Sequence, residues 1–254
     1  KEKMKVINYK LSALSIALFG LVLCTTSCEE DETQTVTTKF NLVLEDNFDV
    51  NGVPNPAIWT FDIGRGPLNN GWGNNELQFY TNRTENATVQ NGYLIMTAKQ
   101  EAYQGASYTS ARLKTRNLFE QQYGRFEARI KLPQGKGIFP AFFILVSNYC
   151  EAPAFDSDGN VFCDSSNPEF EEGNVLWPQS GEIDIMEMGE HGGIASGTTE
   201  TQVNTAIHYG TDAGTGHRQE YHLANVASSL QDGKYHTYSL DWNENTLTIA
   251  IDIR

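Results

Sequence analysis

Short runs of alternating or wholly apolar residues, separated by Gly, Asn and Asp, recur from about residue 77 to the end of the chain. The clearest is Tyr123 to Leu132. There Phe126, Ala128, Ile130 and Leu132 share one parity, and Arg125, Glu127, Arg129 and Lys131 the other. Successive side chains of a strand point to opposite faces, so the pattern predicts a sheet with one buried and one wet face. Ala87-Thr88-Val89, Tyr93 to Ala98, Tyr108 to Thr115, Thr205 to Tyr209, Tyr235 to Trp242 and Leu247 to Ile253 read as further strands. Phe142 to Val146 is apolar throughout and reads as a buried strand, and a first strand is expected at Phe40 to Leu44. No long amphipathic helix, internal repeat or low-complexity block interrupts them. Many short strands with regular turns predict a β-sandwich.

One strand is unusual. Glu182-Ile183-Asp184-Ile185-Met186-Glu187 sets three carboxylates among β-branched and apolar residues. In a regular strand Glu182 and Asp184 share a face and Glu187 points away. A single extra residue, a β-bulge near Met186, would bring Glu187 round to join them. Like charges on one face cost stability, so a purely structural strand has little use for them. Carboxyl groups crowded together acquire different pKa values, which suits glycosidic bond cleavage by an acid and a nucleophile. A solvated acidic edge strand and a Ca²⁺ site are the competing readings of the spacing alone.

Three loops accompany this strand. Residues 64–75 are rich in Gly and Asn and carry Trp72. They lack the strand-before, helix-after context of a phosphate loop. Their short amides and indole suit sugar hydroxyls and a ring face, or simply build turns. Residues 147–176 form a long acidic insertion, expected to wall a cleft. It holds Cys150 and Cys163, which form a local disulfide or stay as two thiols. A second Gly-rich loop is expected at Gly189–Gly197.

Composition narrows the partners. The 254 residues carry a formal net charge of −14, which excludes nucleic acid as a natural partner and repels polyanionic glycans at long range. Thirteen Phe, eleven Tyr and four Trp suit either core packing or stacking on sugar rings. No His/Cys zinc spacing occurs. Lys1, Lys3, Lys5 and Lys10 precede an apolar run, Leu11 to Leu23, that is short for a membrane span. Small Ser27 precedes Cys28, and the segment resembles a bacterial lipoprotein signal cleaved before a lipidated Cys28. An ordinary secretory signal to the periplasm or the medium, or an unusually short membrane anchor, is the alternative. Glu29, Glu30, Asp31 and Glu32 resemble the acidic run of surface-exported lipoproteins of the Bacteroidetes type, and residues 29–39 read as a flexible tether. The expected organisation is therefore a signal over 1–28, the tether, and one domain over 40–254. The expected location is the outer membrane or cell surface.

Trp177-Pro178-Gln179-Ser180-Gly181-Glu182-Ile183-Asp184-Ile185-Met186-Glu187 resembles the bulged signature of glycoside hydrolase family 16. Gly71 to Gln78, Tyr108 to Leu113 and Tyr123 to Arg129 are similar to further motifs of its laminarinases, in the family's order. The resemblance implies an all-β, curved jelly-roll β-sandwich of the concanavalin A-like type, with an open concave cleft. It implies a monomer that performs retaining endo-hydrolysis of β-1,3-glucan or mixed-linkage β-glucan. Glu182 would be the nucleophile, Glu187 the general acid/base, and Asp184 a hydrogen-bonding neighbour of Glu182. Trp177, Asn74, Arg83 and His208 would contact sugar; Arg83 read alone is equally a surface turn charge, and Glu76 a sugar contact or an ion-pair member. No cofactor is required for the chemistry, and a structural Ca²⁺ on the convex side is implied without an assigned ligand. Phe139 and Phe143 stand where the family commonly has Trp. Related domains continue past a strand like 247–253, so this chain is expected to lack its last strands. A surface glycan-binding lipoprotein that does not cut, a hydrolase of agar, porphyran or carrageenan on the same fold, and a Ca²⁺-dependent adhesion module are the competing functions.

Overall fold

The structure, a computed structural model, describes residues 41–66, 69, 71–135, 137–150, 154–155, 161–162, 175–188, 202–211, 216–225 and 230–252. The chain divides into two units at Asn41/Leu42, and the fold described is that of the second, Leu42–Arg254. Cys28, the 29–39 tether, Cys163 and the Gly189–Gly197 loop lie outside the described residues.

Sixteen strands are present among the described residues. They are β1 Thr60–Phe61, β2 Gln78–Tyr80, β3 Ala87–Gln90, β4 Tyr93–Met96, β5 Lys99–Tyr103 and β6 Ala106–Ser110. β7 Leu113–Lys114, β8 Gly124–Ile130, β9 Ala141–Leu145, β10 Ala154–Phe155 and β11 Val161–Phe162 follow. β12 Glu182–Glu187, β13 Gln202–Tyr209, β14 Arg218–Asn225, β15 His236–Trp242 and β16 Leu247–Ile251 complete the set.

Two antiparallel sheets make the sandwich, in the orders β14-β13-β12-β9 and β16-β15-β8. The β8 alternation holds in the structure. Phe126, Ala128 and Ile130 pair with Leu240, Tyr238 and His236 of β15. Leu240 and Tyr238 pair with Ile249 and Ile251 of β16, so one apolar face runs across the sheet. It packs against Ile183, Ile185, Met186, Met188 and Val203. Ile185, Val203, Tyr238 and Leu240 are fully buried. Each such side chain contributes about 1.5–3 kcal/mol through burial. A side sheet, β2-β6-β5, contains the parallel β2–β6 pair. Asn91 (φ 55) and Gly92 (φ 79) close the tight β3–β4 hairpin, where both positions need positive φ.

The expected strand at Phe40 to Leu44 is not formed by its described residues. Residues 41–49 pair with no strand among the described residues, and Leu42 and Val43 are 75% and 64% exposed. Asp46 anchors the segment instead, accepting hydrogen bonds from Trp59 Nε1 (2.8 Å) and Phe48 N (2.9 Å). The 147–176 insertion is not wholly irregular: β10 pairs with β11, and Tyr149 bridges Val175. Cys150 is buried and disulfide-bonded; Cys163, its expected partner, lies outside the described residues.

Candidate active site

β12 lies between β9 and β13, so its backbone is paired on both edges and its side chains face either the core or the open side. The bulge appears in both ladders. Glu182, Ile183 and Asp184 pair with His208, Ile207 and Ala206, and Glu187 then pairs with Asn204, one residue late. Against β9, Asp184 pairs with Phe143 and Met186 with Phe142, leaving Ile185 extra. Residues directly opposite in a ladder share a face. Asn204, Ala206 and His208 alternate regularly on β13, whose pairing with β14 is unshifted. Glu182, Asp184 and Glu187 therefore share one face with them. The same extra residue turns two consecutive side chains inward: Ile185 is 0% and Met186 1% exposed. Apolar burial at the kink is what holds the acids on the other side.

Each carboxylate has a different donor. The turn Leu176–Gly181 folds back through the bonds Ser180 N to Leu176 O (3.1 Å) and Gly181 N to Pro178 O (3.0 Å). It contains a cis Trp177-Pro178 bond and ends on Gly181 at φ +85. This brings Trp177 over the strand, where its Nε1–H donates to Glu182 Oε2 at 2.6 Å. His208 Nε2 lies 3.2 Å from Asp184 Oδ2. Asn204, buried on β13, donates from Nδ2 to Glu187 Oε2 at 3.1 Å. Asp184 is 1% exposed, and its Oδ1 has no hydrogen-bond partner among the described residues. In place of the hydrogen bond expected from Asp184 to Glu182, Asp184 has the ionic contact with His208. Asp184 acts on Glu182 through its charge.

Burial, and next the Asp184 charge, push the Glu182 carboxyl up from 4.5 to about 7. The Trp177 indole N–H, His208 and Arg112 pull the other way. Arg112 is itself fixed: its Nε pairs with buried Asp62 at 2.9 Å, and Lys114 holds the other Asp62 oxygen at 2.6 Å. The Arg112 guanidinium lies 5.0 Å from the ring centres of both Trp72 and Phe143. Phe143 stands opposite Asp184, so Trp72, Arg112 and Phe143 link the 71–76 loop to the carboxylate face. That loop needs glycine at 71, where φ is +68 and a Cβ would fall 2.4 Å from Glu76 N. Desolvation raises the hydroxyl of half-buried Tyr149, just past the β9 turn; Arg112 opposes the rise, and Glu182 and Asp62 add to it.

The residues expected at the site divide into two groups. Glu182, Asp184, Glu187, Trp177 and His208 come together. Asn74 and Arg83 make their described contacts elsewhere. Asn74 Nδ2 donates to Glu76 Oε1 at 3.4 Å, and Tyr80 Oη (2.6 Å) and Gln78 Nε2 donate to Glu76 Oε2. Glu76 is held by neutral donors rather than by an ion pair. Arg83 pairs with Glu101, donates to Asn86 Oδ1 (2.9 Å) and Thr109 Oγ1 (3.3 Å), and lies over Tyr103. These contacts make it a brace between the β2–β3 connection and the β5–β6 hairpin. Sequence reasoning gave no role to Asn204, Arg112, Tyr149 or His217. Asn204 alone had a local signal, since it shares the parity of His208. Among the described residues no group of three or more His, Cys, Asp or Glu could hold a metal ion.

A sandwich with a bulged acidic strand on one open face defines a class of carbohydrate-active β-protein. The chain belongs to the glycosyl hydrolases family 16, whose model matches residues 74–156 and 170–254. It is 36% identical over 215 residues to a β-glucanase of Rhodothermus marinus, covering 84% of this chain and 63% of that protein. Among solved structures it resembles the family 16 protein of the Bacteroides ovatus mixed linkage glucan PUL, in complex with a G4G4G3G product. That match has 40% identity, covers 82% of this chain and 73% of the other, and has a TM-score of 0.61. A Zobellia galactanivorans protein in complex with laminaritriose and laminaritetraose is 32% identical, with 83% and 77% covered and a TM-score of 0.65. The sandwich is thus of the family's jelly-roll type. The chain spans less than two thirds of the length of the Rhodothermus protein.

Proposed function

We propose that this chain is a retaining endo-β-glucanase acting on β-1,3-glucan, with mixed-linkage β-1,3-1,4-glucan as its second substrate. One observation carries the reading: the bulge puts Glu182 and Glu187 on a single face, each with its own donor. Family membership and relatives named as β-glucanases support it.

In the first step a Glu182 carboxylate oxygen attacks the anomeric carbon while Glu187 gives its proton to the leaving glycosidic oxygen. The hydrogen bond from Trp177 and the charge of Arg112 favour the ionised Glu182 that attack requires. In the second step Glu187, now a carboxylate, takes a proton from water as the water oxygen bonds to the anomeric carbon and the bond to Glu182 breaks. Asn204 keeps the Glu187 carboxyl oriented through both steps. The same reading has the protein working as a monomer at the outer membrane, held by lipid on Cys28. The basic start, short apolar run and Ser27-Cys28 support that attachment.

Azide separates the two roles. Glu182→Ala is expected to lose nearly all turnover and to regain it with azide as an α-glycosyl azide. Glu187→Ala is expected to give a β-glycosyl azide, because its covalent intermediate still forms. Wild-type turnover by either variant excludes the assignment. Retention of β-1,3-glucan in affinity gels, with no new reducing ends, would favour binding without cleavage. Products from agar, porphyran or carrageenan but not from β-glucan would move the substrate.

A further inference from the structure

Trp177 and His208 each hold one carboxylate of the site, and one further residue touches both. His217 lies just before β14. Its Nε2 is 3.0 Å from Nδ1 of His208, and the two rings stack at 5.3 Å and 27°. Its ring centre is also 4.7 Å from that of Trp177. Trp177 and His208 are themselves in contact at 5.6 Å. The three rings form a closed cluster whose polar atoms end on Glu182 and Asp184.

The chemistry of the imidazole gives this cluster a direction. His208 Nε2 faces a carboxylate oxygen, which accepts only, so Nε2 carries the proton. In neutral His208 the other nitrogen, Nδ1, is then an acceptor and needs a donor to keep the ring in that tautomer. A His217 Nε2–H, 3.0 Å away, would be that donor. Resting on the proposed glucanase reading, we propose that His217 is a positioning residue: it fixes the tautomer and angle of His208, and wedges Trp177, so that Asp184 and Glu182 are held for attack. Partial desolvation lowers the proton affinity of His217, which favours the neutral ring this arrangement needs. Sequence gives no hint of it, because it lies nine residues beyond His208, across a hairpin.

The test uses the full chain with His217→Ala and His217→Gln. Gln places an amide N–H where His Nε2 stands, and the position is exposed at a strand start, away from the core. On β-1,3-glucan, His217→Ala should lower kcat by about ten- to a hundredfold, the range that misplacement of catalytic groups produces, with KM within about twofold. His217→Gln should recover most of kcat. Long-range ¹H–¹⁵N spectra should show His208 as the fixed Nε2–H tautomer in the wild type and in the Gln variant, and as a tautomeric mixture in His217→Ala. A raised KM with unchanged kcat would make His217 a sugar contact and overturn the proposal. Unchanged kcat, or a His208 tautomer still fixed in His217→Ala, would overturn it as well. If the wild type cleaves no β-glucan, the functional reading fails, and the tautomer spectra still decide the part played by His217.

Discussion

The Trp177–Glu182 hydrogen bond makes a quantitative claim about pH. The indole N–H donates to a carboxylate oxygen at 2.6 Å, and Glu182 is held near 7 by burial and Asp184 despite that bond. Trp177→Phe keeps a ring against His208 and His217 and removes the donor. A hydrogen bond to a charged group is worth about 1.5–3 kcal/mol, and 1.36 kcal/mol is one pH unit, so the lower end moves Glu182 by about one unit. The lost bond favoured the ionised form, so the move is upward, from about 7 to about 8. At pH 7 the ionised fraction then falls from about a half to about a tenth, a fivefold loss. The assay is kcat/KM on a short β-1,3-gluco-oligosaccharide from pH 5 to 9.5, which reports groups of the free enzyme. The acid limb should shift to higher pH while the alkaline limb, where the general acid Glu187 loses its proton, keeps its position. An equal loss at every pH would make Trp177 a sugar contact alone. A limb that stays put, or moves down, would refute the electrostatic argument.

Three further outcomes follow from the same geometry. Moving the Glu182 carboxyl from 4.5 to about 7 means that its ionisation opposes folding by about 3 kcal/mol, absent below about pH 4.5 and complete above about pH 7. Glu182→Gln should therefore be more stable to urea than wild type at pH 8.5, with the gain nearly gone at pH 4; a gain independent of pH would contradict this. Deleting Ile185 removes the extra residue and returns Glu187 to the core parity, so hydrolysis should fall at least about a thousandfold; unchanged turnover would show the bulge to be dispensable. On the other sheet, His236 bridges Asp252 (2.7 Å) and Asp232 (3.1 Å), and both bonds raise its proton affinity. That stabilisation is full below the ordinary histidine range and lost as pH rises through the raised value. His236→Gln should lower Tm by about 1–3 °C more at pH 6 than at pH 9, and an equal loss at both would remove the latch.

The carboxylate strand was legible because its message is local. Period-two alternation fixes which side chains share a face, and a wrong-parity Glu187 between apolar neighbours demands a bulge. The β8 and β15 strands were legible for the same reason, since a buried face writes a clear alternation. The Phe40 to Leu44 strand failed because apolar residues state a preference to be buried and name no partner. β14 went unread because an edge strand with Arg218, Glu220 and His222 on one face and Gln219, Tyr221 and Leu223 on the other has two mixed faces. His208 could be placed near the acids, but nothing local shows that its two nitrogens are committed to Asp184 and His217. Arg83 shows the converse: the resemblance implied a sugar contact and its polar loop a turn charge, and neither names Glu101, eighteen residues away, with which it pairs.

What the distant residues add is asymmetry. Three carboxylates on one strand face are chemically alike in sequence, and left alike they would repel and share protons indiscriminately. The fold gives each a different neighbour: an indole N–H for Glu182, an imidazole for Asp184, an amide for Glu187. These arrive from the turn before β12 and from two positions on β13, and Arg112, held by Asp62, adds a cation that acts on Glu182. Separate environments are what allow one acid to attack and another to donate. The bulge creates the crowding, and the surrounding elements assign the parts. A variant that kept the bulge but made the three donors equivalent should therefore fold and bind glucan while losing the division between nucleophile and acid.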